Sequence, residues 1–264
     1  MRLILCADDF ALSRPISETI AELADAGKIN AISCMAVTRS WEDDANLLAG
    51  LPPTVQVGLH IVLTDLTPAT AMRRLAPSGT MPPLRLLERL AQRRKLPLRE
   101  IEAEVKAQIG RFVSATGRAP DFVDGHQHVH VLPRVRETVL DQVARDAPSA
   151  WVRDCTDRPD AILARPFRLK AIGSAFHSRG LARAAVRRGL GCNRGFAGHY
   201  GFSGDYGRLF PHFLTRPGRR HLVMCHPGAG RLQEDSIADA RLTEAKALKL
   251  LPLGELAAEA GLRF

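Results

Sequence analysis

Short apolar runs alternate with amphipathic stretches along most of this chain. LILCA at 3–7 reads as a buried strand, closed by the carboxylates of Asp8 and Asp9. A helix follows: Ser13 is a candidate N-cap, Pro15 sits in the first turn, Gly27 lies past the end, and Ile16, Ile20, Leu23 and Ala24 share one face. AISCMAV at 31–37 predicts a second buried strand, residues 41–49 a short helix, and VQVGL at 55–59 a third strand. Ile101, Val105, Ile109 and Val113 recur at four-residue steps, which predicts a long amphipathic helix over 99–116, stopped before Pro120 and a strand near 121–124. Val135, Val139, Leu140 and Val143 mark the next helix, and AWVR at 150–153 the next strand. The alternation continues to HLVMC at 221–225 and a last helix over 238–250.

Strands separated by helices predict an α/β fold with a parallel sheet, either covered on both faces or closed into a barrel. Two stretches break the rhythm: 64–98, rich in Pro, Leu and Arg, and 155–215, rich in Gly and Arg. With no Pro/Gly/Ser linker between them, the expectation is a single domain over 1–264 carrying two insertions, the usual origin of lids and substrate loops.

At 264 residues, with 45% hydrophobic and 25% charged, the chain can bury a full core unaided. No run approaches the length of a membrane span, and the apolar run in MRLILCADDF is too short for a signal-peptide core, so a cytoplasmic location is expected. The five cysteines, Cys6, Cys34, Cys155, Cys192 and Cys225, form no C-x-x-C pair and read as reduced thiols. Thirty-seven Lys and Arg against 28 Asp and Glu leave +9, which admits nucleic acid, anionic lipid or a phosphorylated ligand.

The candidate chemistry sits where strands end. Asp8 and Asp9 follow LILCA, His60 follows VQVGL, Asp124 with His126, His128 and His130 follows PDFV, and His226 follows HLVMC. Parallel strands bring such ends to one rim. Asp oxygen with His nitrogen is the donor set of one divalent ion, Zn, Mg, Mn, Co or Fe, with positions left for water. In DGHQHVH successive histidines advance about 6.5–7 Å per two residues if extended, so only one binds an ion. His126, beside Gly125 at the strand end, is the choice, with Asp124, His128 and His130 as supporting or substrate contacts. Asp8 and Asp9 face opposite sides if extended, whereas a turn brings both to the rim, one for metal and the other as a base. His226, before Pro227 and Gly228, either protonates a leaving group or anchors a loop.

With ADDF at 7–10, GLHIVLT at 58–64, DGHQHVHVLP at 124–133 and MCHPG at 224–228 in this order, the chain resembles the YdjC-like carbohydrate deacetylases, the family that includes chito-oligosaccharide deacetylase. The resemblance implies an irregular β/α, TIM-like barrel with its site at the C-terminal rim of the strands, and metal-assisted removal of acetyl from an N-acetylated sugar. It places the metal triad on Asp9, His60 and His126, the base on Asp8 and the acid on His226, and it implies a homodimer. CADDFALS, DGHQHVHVLP and NRGFAGHYGFSG at 193–204 look more like the hopanoid-biosynthesis-associated branch, implying an N-acetylglucosaminyl group on a hopanoid lipid as substrate. One departure stands out: the family usually continues ADDF with Gly, and here Ala11 follows, so a left-handed backbone there would be strained.

Other function classes remain beside this one: a metal-dependent phosphoesterase and a non-catalytic sugar-binding relative. Nucleic acid is not expected, because no basic stretch is interleaved with aromatics. Arg179, Arg183 and Arg187, joined by Arg188, recur at four-residue steps and predict a cationic helix stripe, either a solvated face or a peripheral contact with an anionic membrane surface.

Overall fold

The computed structural model describes residues 1–230 and 235–264. The chain runs β1 (Arg2–Phe10), α1 (Arg14–Asp25), β2 (Ala31–Cys34), α2 (Trp41–Asp44), β3 (Gln56–Ile61), α3 (Leu84–Gln92), α4 (Leu98–Thr116), β4 (Phe122–Gly125), α5 (Val135–Asp146) and β5 (Trp151–Val152). It continues through α6 (Pro159–Ala164), α7 (Arg168–Ser178), α8 (Leu181–Val186), β6 (Phe196–Ala197), α9 (Tyr206–Phe213), β7 (Arg220–Cys225), α10 (Ala238–Leu250) and α11 (Leu253–Glu259).

The seven strands form one parallel sheet in the order β5-β4-β3-β2-β1-β7-β6. Its interior strand β1, between β2 and β7, is buried from Leu3 onward on both faces, which is why LILCA reads as an unbroken apolar run. The expected barrel is formed only in part: the sheet curls into a half-barrel and is not a full TIM barrel. Its outer strands are two residues long, and only an isolated bridge, Val152 to Cys192, sets the segment leading into β6 beside β5. Gly189, Gly191 and Gly195 punctuate that segment, and glycines offer no side chains to hold a longer ladder.

The remaining departures are local. β2 is shorter than expected and ends at Cys34: the Met35 N–H makes the last bond to β1, at the carbonyl of Phe10, and the chain turns at Ala36 and Val37. The helix expected over 41–49 is α2 followed by a 3-10 turn at Ala45–Leu48. Along α4, Ile101, Val105 and Ile109 are buried but Val113 is 36% exposed. Two polar residues share its inner face: Gln108 exchanges both hydrogen bonds with the backbone of Val62, and Glu104 accepts from the N–H groups of Ala69 and Thr70. They pin the start of the 64–98 insertion against the sheet, a service apolar residues could not perform for backbone donors taken out of water.

Cys6, Cys34, Cys155 and Cys225 are free and buried, and Cys192 is free and half-buried. Among the described residues no helix is long and apolar enough to cross a membrane. The cationic stripe is not formed as expected. α7 ends at Ser178, Gly180 takes a left-handed turn, and Arg179 therefore lies outside the helix that carries Arg183.

Candidate active site

One irregularity in β1 builds the centre of the site. Cys6 and Ala7 pair with Ala31 and Ile32, and the next pair is Phe10 with Cys34, so Asp8 and Asp9 stand opposite the single residue Ser33. This is a β-bulge, and it resolves the geometry of adjacent carboxylates: the extra residue re-aims both side chains to the rim. Asp9 takes the left-handed conformation at φ 66°, which short polar Asp tolerates. Ala11 is left-handed too, at φ 71°, with its N–H bonded to Ser17 Oγ at 2.9 Å, so the departure from Gly noted above falls on a backbone that favours Gly.

Around Asp9 three side chains converge. Asp9 Oδ1 lies 2.9 Å from His126 Nδ1 and 3.4 Å from His60 Nε2, and the three groups form a cluster whose donor atoms lie within 4.8 Å of one another. Two atoms each about 2.1 Å from one ion, at coordination angles of about 90–110°, stand about 3.0–3.4 Å apart, so this donor set fits a single divalent ion. The backing fits as well. His60 Nδ1 lies 2.6 Å from Asp124 Oδ1, with Ser33 Oγ hydrogen-bonded to the same carboxylate, which leaves Nε2 as the free donor atom. Burial disfavours charge on His60, but Asp124, Asp9 and Asp8 outweigh it and push its pKa up to about 10. A second group, Cys6, Asp8 and Asp124, is equally close, but the Arg153 guanidinium already lies among them, 2.6 Å from Asp8 and 2.5 Å from Asp124.

Asp8 is gripped in two places: Arg153 Nη1 and Nη2 donate to its two oxygens at 2.6 Å each. Burial alone would raise this carboxyl, yet Arg153 overrides it and holds Asp8 well below the usual carboxylate range. It is an ionised acceptor at neutral pH. His226, at the end of β7, brings Nε2 to 4.0 Å from Asp8 Oδ2, and its Nδ1 is buried with no hydrogen-bond partner among the described residues. Burial pushes His226 down to about 4 despite the pull of Asp9 and Asp8, so it rests neutral. Its backbone N–H donates to Glu244 at 2.5 Å, and Glu244 also accepts from the Tyr200 hydroxyl.

These groups open into a cavity of about 1140 Å³. Leu66 and Leu84 reach it from the first insertion, and Lys170, Ser174, Tyr200 and Phe202 from the second.

A family model described as YdjC-like protein matches residues 2–257. The chain belongs to the YdjC-like family. Chitooligosaccharide deacetylase of Escherichia fergusonii is 28% identical over 264 residues, covering 99% of this chain and 96% of that one. The crystal structure of an Enterococcus faecalis protein assigned provisionally to cellobiose-phosphate cleavage aligns at TM-score 0.77 and 18% identity, over 100% of this chain and 96% of that one, a likeness of fold.

In this YdjC-like chain the histidines of DGHQHVH part company. The strand stops at Gly125, and Gln127 and His128 turn left-handed at φ 51° and 59° within a short 3-10 segment, so the three rings share no face. His126 meets Asp9. His128 lines the cavity, packs edge-on to Phe196 and His199, and keeps a buried Nδ1 with no hydrogen-bond partner among the described residues. His130 is fully buried, with Nε2 2.9 Å from the carbonyl of Arg153, so it steadies that arginine's backbone and does not face the cavity.

Sequence reasoning missed Arg153, Arg241, Glu244 and Ser33. Arg153 carried a readable signal, since it ends the apolar AWVR just as Asp8 and Asp9 end LILCA. Arg241 donates to Asp9 Oδ2 at 2.7 Å from the inner face of α10, where Ala240, Arg241, Glu244, Ala245 and Leu248 are all buried. Charges at core-facing helical positions were the clue. Ser33 is a small residue within an apolar run, and nothing in the pattern marks it.

Proposed function

We propose that this chain is a single-domain carbohydrate N-deacetylase that hydrolyses the acetamide of an N-acetylated saccharide. The observation that supports it best is the meeting of Asp9, His60 and His126 on one cavity with Asp8 and His226, in a chain of this family 28% identical to a chitooligosaccharide deacetylase. A divalent ion held by Asp9, His60 and His126 would supply a polarised carbonyl and a water of lowered pKa.

The protein's own part is positioning and proton traffic. Asp8, ionised and fixed by Arg153, accepts a proton from the attacking water, using the lone pairs that the guanidinium leaves open. The water oxygen bonds the acetyl carbon, and the C–N bond breaks only once its nitrogen is protonated. His226 is neutral at rest, so it first takes up the proton it delivers, from Asp8 at 4.0 Å, and then passes it to the departing amine. Acetate and a free amino sugar leave. His128 offers the buried Nδ1 to a polar group of the sugar, and Leu66, Leu84 and Phe202 offer apolar surface to its faces.

The same reading names an N-acetylglucosaminyl group on a hopanoid lipid as substrate, on the strength of the motifs at 6–13, 124–133 and 193–204, and a homodimer as the working form. Metal-loaded protein incubated with N-acetylglucosaminyl glycosides, lipid-linked and free, is expected to release acetate. Release of phosphate from phosphoesters and no acetate from any glycoside would replace this reading with the phosphoesterase.

A further inference from the structure

The +9 of this chain is not spread over it. Residues 161–204 contain no Asp or Glu and eight Lys or Arg, so this stretch carries nearly the whole excess and the rest of the chain is close to neutral. The same stretch carries an unusual share of exposed apolar surface. Six of the eleven large hydrophobic residues exposed among the described residues fall in it: Leu163, Phe167, Leu169, Ile172, Phe176 and Val186.

α7 explains how. Lys170, Ser174 and Ser178, one helical turn apart, tie its inner face to the protein through the Tyr200 carbonyl at 2.7 Å, His199 at 2.8 Å and Asp154 at 2.8 Å. Leu169, Ile172 and Phe176 fall on the opposite side at steps of three and four, and are 79%, 45% and 71% exposed. Only Ser178 of this helix is buried. A helix held to its protein by polar contacts, with its apolar ridge turned outward, inverts the usual amphipathic arrangement. Near the ridge in sequence, Arg168, Arg179, Arg183 and Arg187 are exposed and make no ion pair among the described residues, whereas Arg165 and Arg188 are committed to Asp157 and Asp141.

We propose that the outer face of α7, with the exposed arginines that flank and follow it in sequence, docks this protein on an anionic lipid surface. Apolar side chains with unpaired cations beside them and no carboxylates in the stretch match the headgroup–acyl boundary of such a membrane: the ridge enters the apolar layer and the arginines meet lipid phosphate. Since Lys170 and Ser174 line the active cavity from the inner face of the same helix, docking sets the cavity mouth beside the membrane. The inference stands on exposure and charge alone and does not depend on the deacetylase reading.

Sedimentation of the full-length protein with vesicles tests it. Binding is expected to vesicles of equal parts phosphatidylcholine and phosphatidylglycerol, to be far weaker with phosphatidylcholine alone, and to fall on going from about 50 to about 500 mM salt. Leu169→Ser/Ile172→Ser/Phe176→Ser, all at exposed positions, should lower partitioning about tenfold or more. Arg183→Glu/Arg187→Glu, tested as a second variant, should lower it about fivefold or more. No binding to anionic vesicles at low salt would overturn the proposal, as would binding that both variants leave unchanged. So would a triple variant that turns a dimer into a monomer while the parent protein ignores vesicles, which would make the ridge a contact between copies.

Discussion

At Asp8 and Asp9, two chemically identical side chains one bond apart acquire different tasks from their partners. Asp8 faces Arg153, and Asp9 faces two imidazoles and Arg241. Asp8→Asn should therefore keep its metal content while acetate release falls about 10²–10⁴-fold, whereas His60→Ala or His126→Ala should lose metal, as measured by elemental analysis. If Asp8→Asn lost its metal and Asp9→Asn kept it, the two tasks would be exchanged. Arg153 is fully buried between Asp8 and Asp124, so Arg153→Met strands two carboxylates and should cost about 3–5 kcal/mol in chemical denaturation. Ala11 balances two small terms: relief of left-handed strain of about 1–2 kcal/mol against loss of a buried methyl of about 0.8 kcal/mol. Ala11→Gly should thus raise stability by no more than about 1 kcal/mol. The types and order of these residues were legible in the sequence, but their division of labour was not, because adjacent aspartates differ only through partners that lie 51 or more positions away.

Among the elements, the strand ends do most of the positioning, and the bulge in β1 is what lets two consecutive residues share one rim. β7 carries a different lesson at its start. His221 is buried, donates through Nε2 to the carbonyl of Phe213 at 3.0 Å, and is pushed down to about 4 by burial and by nearby Arg165. Its folded pKa lies below the unfolded value of about 6.5, so the native state prefers the neutral ring. The stability it contributes is complete above about pH 6.5 and is lost as pH falls toward 4, by up to about 1.4 kcal/mol per pH unit. His221→Gln keeps the donor without the titration, so the difference in denaturation free energy between variant and parent should shift in the variant's favour over that window. Long periodic elements such as α1, α4, α5 and α10 were readable from spacing alone. The strand of AWVR was readable and formed as β5, but the two-residue β6 and the break between α7 and α8 were harder, since a ladder that short has no period and Gly180 ends a helix inside an otherwise continuous pattern.

Across the whole molecule, the curled sheet and α10 gather residues 8 through 241 into one pocket, and ion binding there would draw on β1, β3 and the end of β4. Chelation should abolish acetate release and lower the thermal midpoint, and re-addition of a divalent ion should restore both. A midpoint indifferent to chelator would mean that the cluster binds no ion in the folded protein. The chain by itself determined the α/β class, the parallel strands, the polar clusters at their ends and a net charge of +9, because periodicity, strand polarity and composition are local properties. Only the tertiary structure decided that the sheet stops at a half-barrel, that Arg153 and Arg241 divide the two aspartates, that His130 turns inward, and that an apolar ridge on α7 stands exposed within the basic stretch. Each of these depends on which distant groups share a small buried volume or the same stretch of surface, and spacing along a sequence carries no record of that.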